Sequence, residues 1–206
     1  MKINNDLIFR ATGYKSETKF EYDGVGLLVT TSESPLLSFI EDQKYIGQLN
    51  ENQSIKGVFC TQEIATTQQV RADIQLIIVN EPKWFFFSTV DYLARNQERL
   101  STKICPTTTV NSTAYINPKG VKIGSNCLIE PNVTIHSDVT IGDNVVIRAG
   151  SVIGSEGFEH KKTSRGVLSV THDGVVVIGN NVEIGVNSHV AKGFSYRPTI
   201  IGESSK

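Results

Sequence analysis

Six isoleucines, Ile123, Ile129, Ile135, Ile141, Ile147 and Ile153, stand at every sixth position of this 206-residue chain. Neither an α-helix, with its 3.6-residue period, nor a plain strand, with its period of two, produces that spacing. Four positions after each of the first five come Cys127, Val133, Val139, Val145 and Ser151, all small or β-branched. Glycine often follows the isoleucine, as at Gly124, Gly142 and Gly154. After a break the frame resumes at Ile178, Ile184 and Val190, with Gly179 and Gly185 in the following position. One inward residue per six is the demand of a three-sided coil. Each unit is a short strand plus a corner, and three units, about 18 residues, complete a turn that stacks on the next. The isoleucines then fill a dry interior, parallel ladders run along each side, and the following glycine is expected to adopt corner angles that a Cβ resists.

From residue 102 onward this predicts a left-handed parallel β-helix of hexapeptide repeats, an exception to the usual right-handed crossover. Ile104, Val110 and Ile116 open the frame, and "NPKG" slips it by one residue before Ile123. Between Ile153 and Ile178 the segment "GSEGFEHKKTSRGVLSVTHDGVVV" has too few spaced isoleucines to coil, so part of it must loop outward. Such an excursion from a regular solenoid is where a binding or catalytic wall is usually built. "AKGFSYRPT" is a shorter irregularity before Ile201.

Residues 1–101 follow a different grammar, that of a small α/β domain. Strands are expected over 25–30, 56–61 and 74–79, where β-branched and large apolar residues cluster. A helix is expected within "SESPLLSFIEDQKYIGQL": Ser32 or Ser34 can cap it, Pro35 suits its first turn, and Leu36, Phe39, Ile40 and Ile46 can share a face. A second helix should begin near Pro82, with Phe86, Val90, Leu93 and Ala94 at helical spacing and the Trp84–Phe87 run as packing. Two domains follow, 1–101 and 102–206.

Charge is balanced, 20 Lys+Arg against 21 Asp+Glu, so there is no basic field for nucleic acid. No apolar run is long enough for a transmembrane segment, and the first ten residues lack a signal-peptide core. Three scattered cysteines without CxxC spacing fit a reducing, cytoplasmic setting and no zinc site. The four histidines show no ligand pattern, so neither a metal nor a bound cofactor is expected.

The order of these parts, with "IGSEGF" and above all "VVIGNNVEIGVNSHVAKG", resembles the UDP-3-O-acylglucosamine N-acyltransferases of lipid A synthesis and related sugar-nucleotide N-acyltransferases. The resemblance implies a homotrimer with clefts between subunits, a UDP-linked amino sugar as acceptor, and an acyl thioester of acyl carrier protein or CoA as donor. "LSFIEDQKY" is similar to that family's uridine-binding helix, whose aromatic, amide and tyrosine fall here on Phe39, Asp42 and Tyr45. Spacings of three would put them along one side of a helix. Two rings can sandwich a uracil while the polar residue reads its edge. Asp42 departs from the family's asparagine; a carboxylate accepts from the uracil N3–H but cannot donate to a carbonyl. Gly157 and Phe158 resemble the segment beside the family's acyl and sugar pocket.

N-acylation needs a base for the amine, donors for the tetrahedral oxyanion and a departing thiol. In the family the base is a histidine shortly after the segment matching "TIIG", and this chain stops at "TIIGESSK", before that run. His136 and His189 are expected outward, and His160 lies in a basic, mobile loop. His172 closes the excursion beside Asp173 and is the remaining candidate base. Lys161, Lys162, Arg165, Lys192 and Arg197 are candidate phosphate contacts. The alternative is a catalytically incomplete fragment, or a sugar-nucleotide-binding module that lacks the base.

Overall fold

A computed structural model of the chain describes residues 2–194 and 197–206. The chain forms two compact units, one of residues 1–97 with 158–171 and the other of 98–157 with 172–206. The division thus falls four residues before the expected boundary, and the excursion groups with the first unit.

The first unit opens with a short antiparallel pair, β1 (Ile3–Asn4) and β2 (Glu21–Tyr22), joined through helix α1 (Asn5–Thr12). Asn4 caps α1 by accepting the Leu7 N–H, and Gly13 ends it at φ 76°. A four-stranded parallel sheet follows in sequential order: β3 (Gly24–Val25), β4 (Leu36–Ile40), β5 (Ile55–Cys60) and β6 (Gln75–Ile78). Helices α2 (Ile46–Glu51), α3 (Gln62–Thr66) and α4 (Pro82–Arg95) complete the unit.

Residues 36–40 are a strand, and this corrects the expected helix. Leu36 and Ile40 join a buried cluster with Ile46, Leu49, Ile55 and Ile64, while Phe39 lays its ring on Phe86 and Phe87 at 4.9 and 5.6 Å. Apolar residues needed on both sides of a covered parallel strand read as a continuous run, which a helical face can imitate. The strand expected over 25–30 is likewise confined to its first residue, whereas 55–60, 75–78 and 82–95 lie where the sequence put them. Gly57 on β5 is required by close approach: a Cβ there would collide with the Tyr22 phenol. That hydroxyl donates to Gln75 Oε1 at 2.8 Å, and burial pushes its pKa to about 12.

The excursion is a β-hairpin, His160–Thr163 against Gly166–Ser169, rather than a loose loop. The Arg165 guanidinium stacks on Trp84 at 3.8 Å, Ser164 bonds Glu81, and Thr171 bonds Asp91.

The second unit stacks three parallel sheets in hexapeptide register. Ile123 pairs with Ile104 and Ile141, Ile129 with Val110 and Ile147, and Ile135 with Ile116 and Ile153. After the excursion Ile178, Ile184 and Val190 return to the same three columns. Ile129, Ile135, Ile147 and Ile153 are fully buried, as are Val133, Val145 and Ser151 four positions on from frame isoleucines.

The glycine after the isoleucine does something other than expected. Of these glycines only Gly154 has a positive φ; the left-handed residue is the third after the isoleucine, at Asn126, Asn132, Asp138, Asn144, Gly150, Asn181, Asn187 and Ser204. Asparagine and aspartate tolerate that region because their short polar groups bond locally. Gly124 and Gly142 instead allow close stacking, since a Cβ on either would run into the next coil at Asp143 or Asn180.

Candidate functional site

The carboxyl ends of β3 and β4 open into a cleft of about 520 Å³. In open parallel sheets ligands bind outside the carboxyl ends of the strands. The segment after β3 supplies Leu27, Leu28 and Val29, and the end of β4 supplies Phe39 and Ile40. Asp42, Lys44 and Tyr45 come from the following 3-10 turn (Gln43–Tyr45), Gln48 from α2 and Lys83 from the first turn of α4. Phe39, Asp42 and Tyr45 therefore meet without sharing a helix: one is on a strand, one caps the turn and one ends it.

Local bonds fix this rim. Asp42 Oδ1 accepts the Lys44 N–H at 3.0 Å, and its Oδ2 faces the Lys44 ammonium at 2.8 Å. Lys44, through both bonds, holds the Asp42 carboxyl below the usual range, and Asp42 in turn raises the Lys44 ammonium. The same ammonium lies 4.9 Å from the Tyr45 ring centre. Glu41 accepts the Lys83 N–H at 3.0 Å and pairs with its ammonium at 2.8 Å, tying β4 to the start of α4. Phe39 is half-buried and Tyr45 is 45% exposed, so one ring backs the cleft and the other stands open. The arrangement suits a flat, partly apolar ligand with polar edges.

His172 and Gly157 come together in the second unit. The His172 ring covers Gly157, where a Cβ would collide with it, and Phe194 lies 5.2 Å away. Nδ1 faces the Lys192 carbonyl at 3.3 Å, a contact it makes as an N–H donor. Nε2 is shielded from solvent and has no hydrogen-bond partner among the described residues. The His172 N–H donates to Glu156 Oε2 at 2.8 Å, and Lys192 reaches both Glu156 and Asp138 at 3.3 Å. Arg99 grips Asp138 with two bonds of 2.8 Å. Burial pushes the Asp138 carboxyl up, but Arg99 and Lys192 outweigh it and hold the group below its ordinary value. Lys192 is thus a buried ion-pair partner, not the solvent-facing phosphate contact its sequence suggested.

Phe158, next to Gly157 in sequence, belongs to the other unit and is 93% exposed, its ring edge-on to His160 at 4.6 Å. His189 bonds Ser155. Among the described residues no three His, Cys, Asp or Glu side chains are placed to hold a metal ion, and no helix is long and apolar enough to cross a membrane.

Sequence reasoning missed Lys44, Lys83 and the Arg99–Asp138 pair. Asp138 carried a signal, being the one charged residue in a column of asparagines, a glycine and a serine.

Residues 120–155 match the family model described as bacterial transferase hexapeptide (six repeats). A UDP-3-O-acylglucosamine N-acyltransferase of Coxiella burnetii is 27% identical over 200 residues, which cover 82% of this chain and 56% of the relative. Proteins of the same name match shorter stretches more closely. That of Wolinella succinogenes is 50% identical over 64 residues (31% of this chain, 20% of the relative), and that of Pseudomonas putida 41% over 90 residues (41% and 25%). The chain resembles the UDP-3-O-acylglucosamine N-acyltransferases. Its matches span between 20% and 56% of the length of these N-acyltransferase relatives.

Proposed function

We propose that this chain is part of an N-acyltransferase of lipid A or surface-polysaccharide synthesis. It moves an acyl group from a thioester of acyl carrier protein or CoA to the amine of a UDP-linked amino sugar. The observation that carries the reading is the convergence of Phe39, Asp42 and Tyr45 on one cleft at the carboxyl ends of β3 and β4. The names of the relatives and the hexapeptide match support it. In this reading the coils form a left-handed β-helix and three copies associate along its flat sides, as edge-rich solenoids favour.

Each residue then has a task. Phe39 and Tyr45 flank the uracil, and Asp42 accepts its N3–H. Gly157, under the His172 ring, borders the sugar or acyl group. The amine attacks the thioester carbon, the tetrahedral oxyanion collapses, and the thiol leaves while the amine's proton passes to a base. His172, whose Nδ1 faces the Lys192 carbonyl, takes that role through Nε2 once the substrate displaces what shields it.

A second reading, a catalytically incomplete fragment or sugar-nucleotide-binding module that lacks the base, is favoured by the shielding of that same nitrogen. Thiol release separates the two. The purified 206-residue chain would be given acyl-CoA or an acyl carrier thioester with a panel of UDP-amino sugars, alongside a folded His172→Gln variant. Sugar-dependent release that the variant lacks supports the transferase with His172 as base. UDP binding without release supports the binder.

A further inference from the structure

One buried residue of the coiled unit reaches His172 by two routes. Strands Val152–Ser155 and His189–Ala191 pair in parallel, and their last partners are Ser155 and Ala191. The residues that come next, Glu156 and Lys192, therefore stand side by side, and the Lys192 ammonium meets Glu156 Oε1 at 3.3 Å. Asp138 alone does not balance that ammonium, because Arg99 grips the same carboxylate. A buried cation short of a partner is costly, and Glu156 supplies the second anion. Its other oxygen, Oε2, accepts the His172 N–H at 2.8 Å. Meanwhile the Lys192 carbonyl faces His172 Nδ1 at 3.3 Å. Lys192 thus acts on the ring through its carbonyl, and on the His172 main chain through its ammonium and Glu156. Gly157, next after Glu156, leaves the space the ring fills.

We propose that Lys192 is a positioning residue for His172, with Glu156 as its intermediary. The pair holds the ring in one orientation, because turning it over would take Nδ1 off the Lys192 carbonyl. A neutral imidazole has one donor nitrogen and one acceptor nitrogen, so a ring that donates from Nδ1 keeps Nε2 as its acceptor. The inference rests on the transferase reading above, in which His172 is the base, and adds to it the residues that fix the base. It also gives the buried ammonium a task other than meeting phosphate.

Long-range proton–nitrogen NMR correlations of His172 in the full chain report which ring nitrogen carries the proton. The unaltered chain should show one neutral species, protonated on Nδ1. Glu156→Ala and Lys192→Met should each show a mixture of the two tautomers, and Lys192→Arg should restore the single one. Glu156 is half-exposed, so Glu156→Ala decides the matter even where Lys192→Met does not fold. In the thiol-release assay Glu156→Ala should lower kcat by about tenfold with KM little changed, the signature of a displaced base rather than lost binding. A single Nδ1-protonated species in both Glu156→Ala and Lys192→Met overturns the inference, and so does an unaltered ring protonated on Nε2. A rise in KM with kcat unchanged overturns it as well, since Glu156 would then serve binding. Absence of thiol release from the unaltered chain would overturn the transferase reading, while the ring spectra would still decide whether Lys192 and Glu156 position His172.

Discussion

In the coiled unit a residue's duty follows from its place in a six-residue frame, whereas in the α/β unit it follows from what the topology brings beside it. Ile129 and Ile147 need no knowledge of the rest of the chain to be placed inward; each repeats its neighbour one coil away. Phe39 could be placed only by knowing that α4 covers one face of β4 and the buried cluster of α2 and α3 the other. The lesson is that repetition turns a long-range problem into a local one, because every coil meets a near-copy of itself. Without repetition, a short apolar run fits helix and strand equally well.

The sharpest way to break this contrast is to ask whether frame position alone sets energy. Ile135 is fully buried between two coils, while Ile104, in the same frame, is 39% exposed. Ile135→Ala should cost about 3–4 kcal/mol, and Ile104→Ala less than about 1, read from urea midpoints at constant slope. Equal losses would mean that frame position, not the depth of stacking, governs stability.

Next in size is the one column position that carries charge. Asp138 replaces the usual asparagine and joins Arg99 to the buried Lys192. Asp138→Ala should cost about 3 kcal/mol, since it strips partners from two half- or fully buried cations. Its carboxyl is held below the ordinary value in the fold. A lowered folded pKa gives stability that is present above the unfolded pKa, about 3.9, and is lost as pH falls through the folded value. Acid unfolding of the native chain should therefore steepen below about pH 4, and Asp138→Asn should flatten that slope. An identical acid limb in both would remove the charge from the account.

The glycines that follow the isoleucines give a finer comparison. A Cβ at Gly124 would strike Asp143 and the Gly142 backbone, whereas at Gly185 the nearest atom would be Ser188 Oγ at 3.7 Å. Gly124→Ala should cost about 1–3 kcal/mol, and Gly185→Ala should be neutral or stabilising by up to about 1 kcal/mol. Matching losses at both would return the explanation to backbone angle, as the sequence first suggested.

How far the sequence could be read divides along the same line. The coil frame, the one-residue slip at "NPKG" and the place of the excursion were all visible, because each is a departure from a strict period. That the excursion would form a hairpin grouped with the first unit was not. Its contacts, Arg165 on Trp84 and Ser164 on Glu81, join residues about eighty apart with no pattern between them. The cleft residues were found by resemblance and set on the wrong element, yet they converge. A strand end and the turn that follows it can aim Phe39, Asp42 and Tyr45 at one space as well as a helix can. Lys44 went unread because an exposed lysine beside an aspartate has no signature of its own.

The smallest effect tests the correction about which residue turns the corner. Asn132 has φ 59° and Asn144 has φ 57°, but only the latter also donates from its amide to the next coil, to Asn181 Oδ1 at 3.2 Å. Asn132→Ala should cost about 1 kcal/mol, the strain of a Cβ in the left-handed region without local compensation. Asn132→Gly should be close to neutral, since the angle is relieved while the unfolded chain gains freedom. Asn144→Gly removes the ladder bond as well, so it should lose roughly 0.5–1 kcal/mol more than Asn132→Gly. Thermal melts of the three variants would read these differences. If alanine and glycine were equivalent at 132, the corner would owe its shape to the stacked coils and the third position would be permissive rather than prescribed.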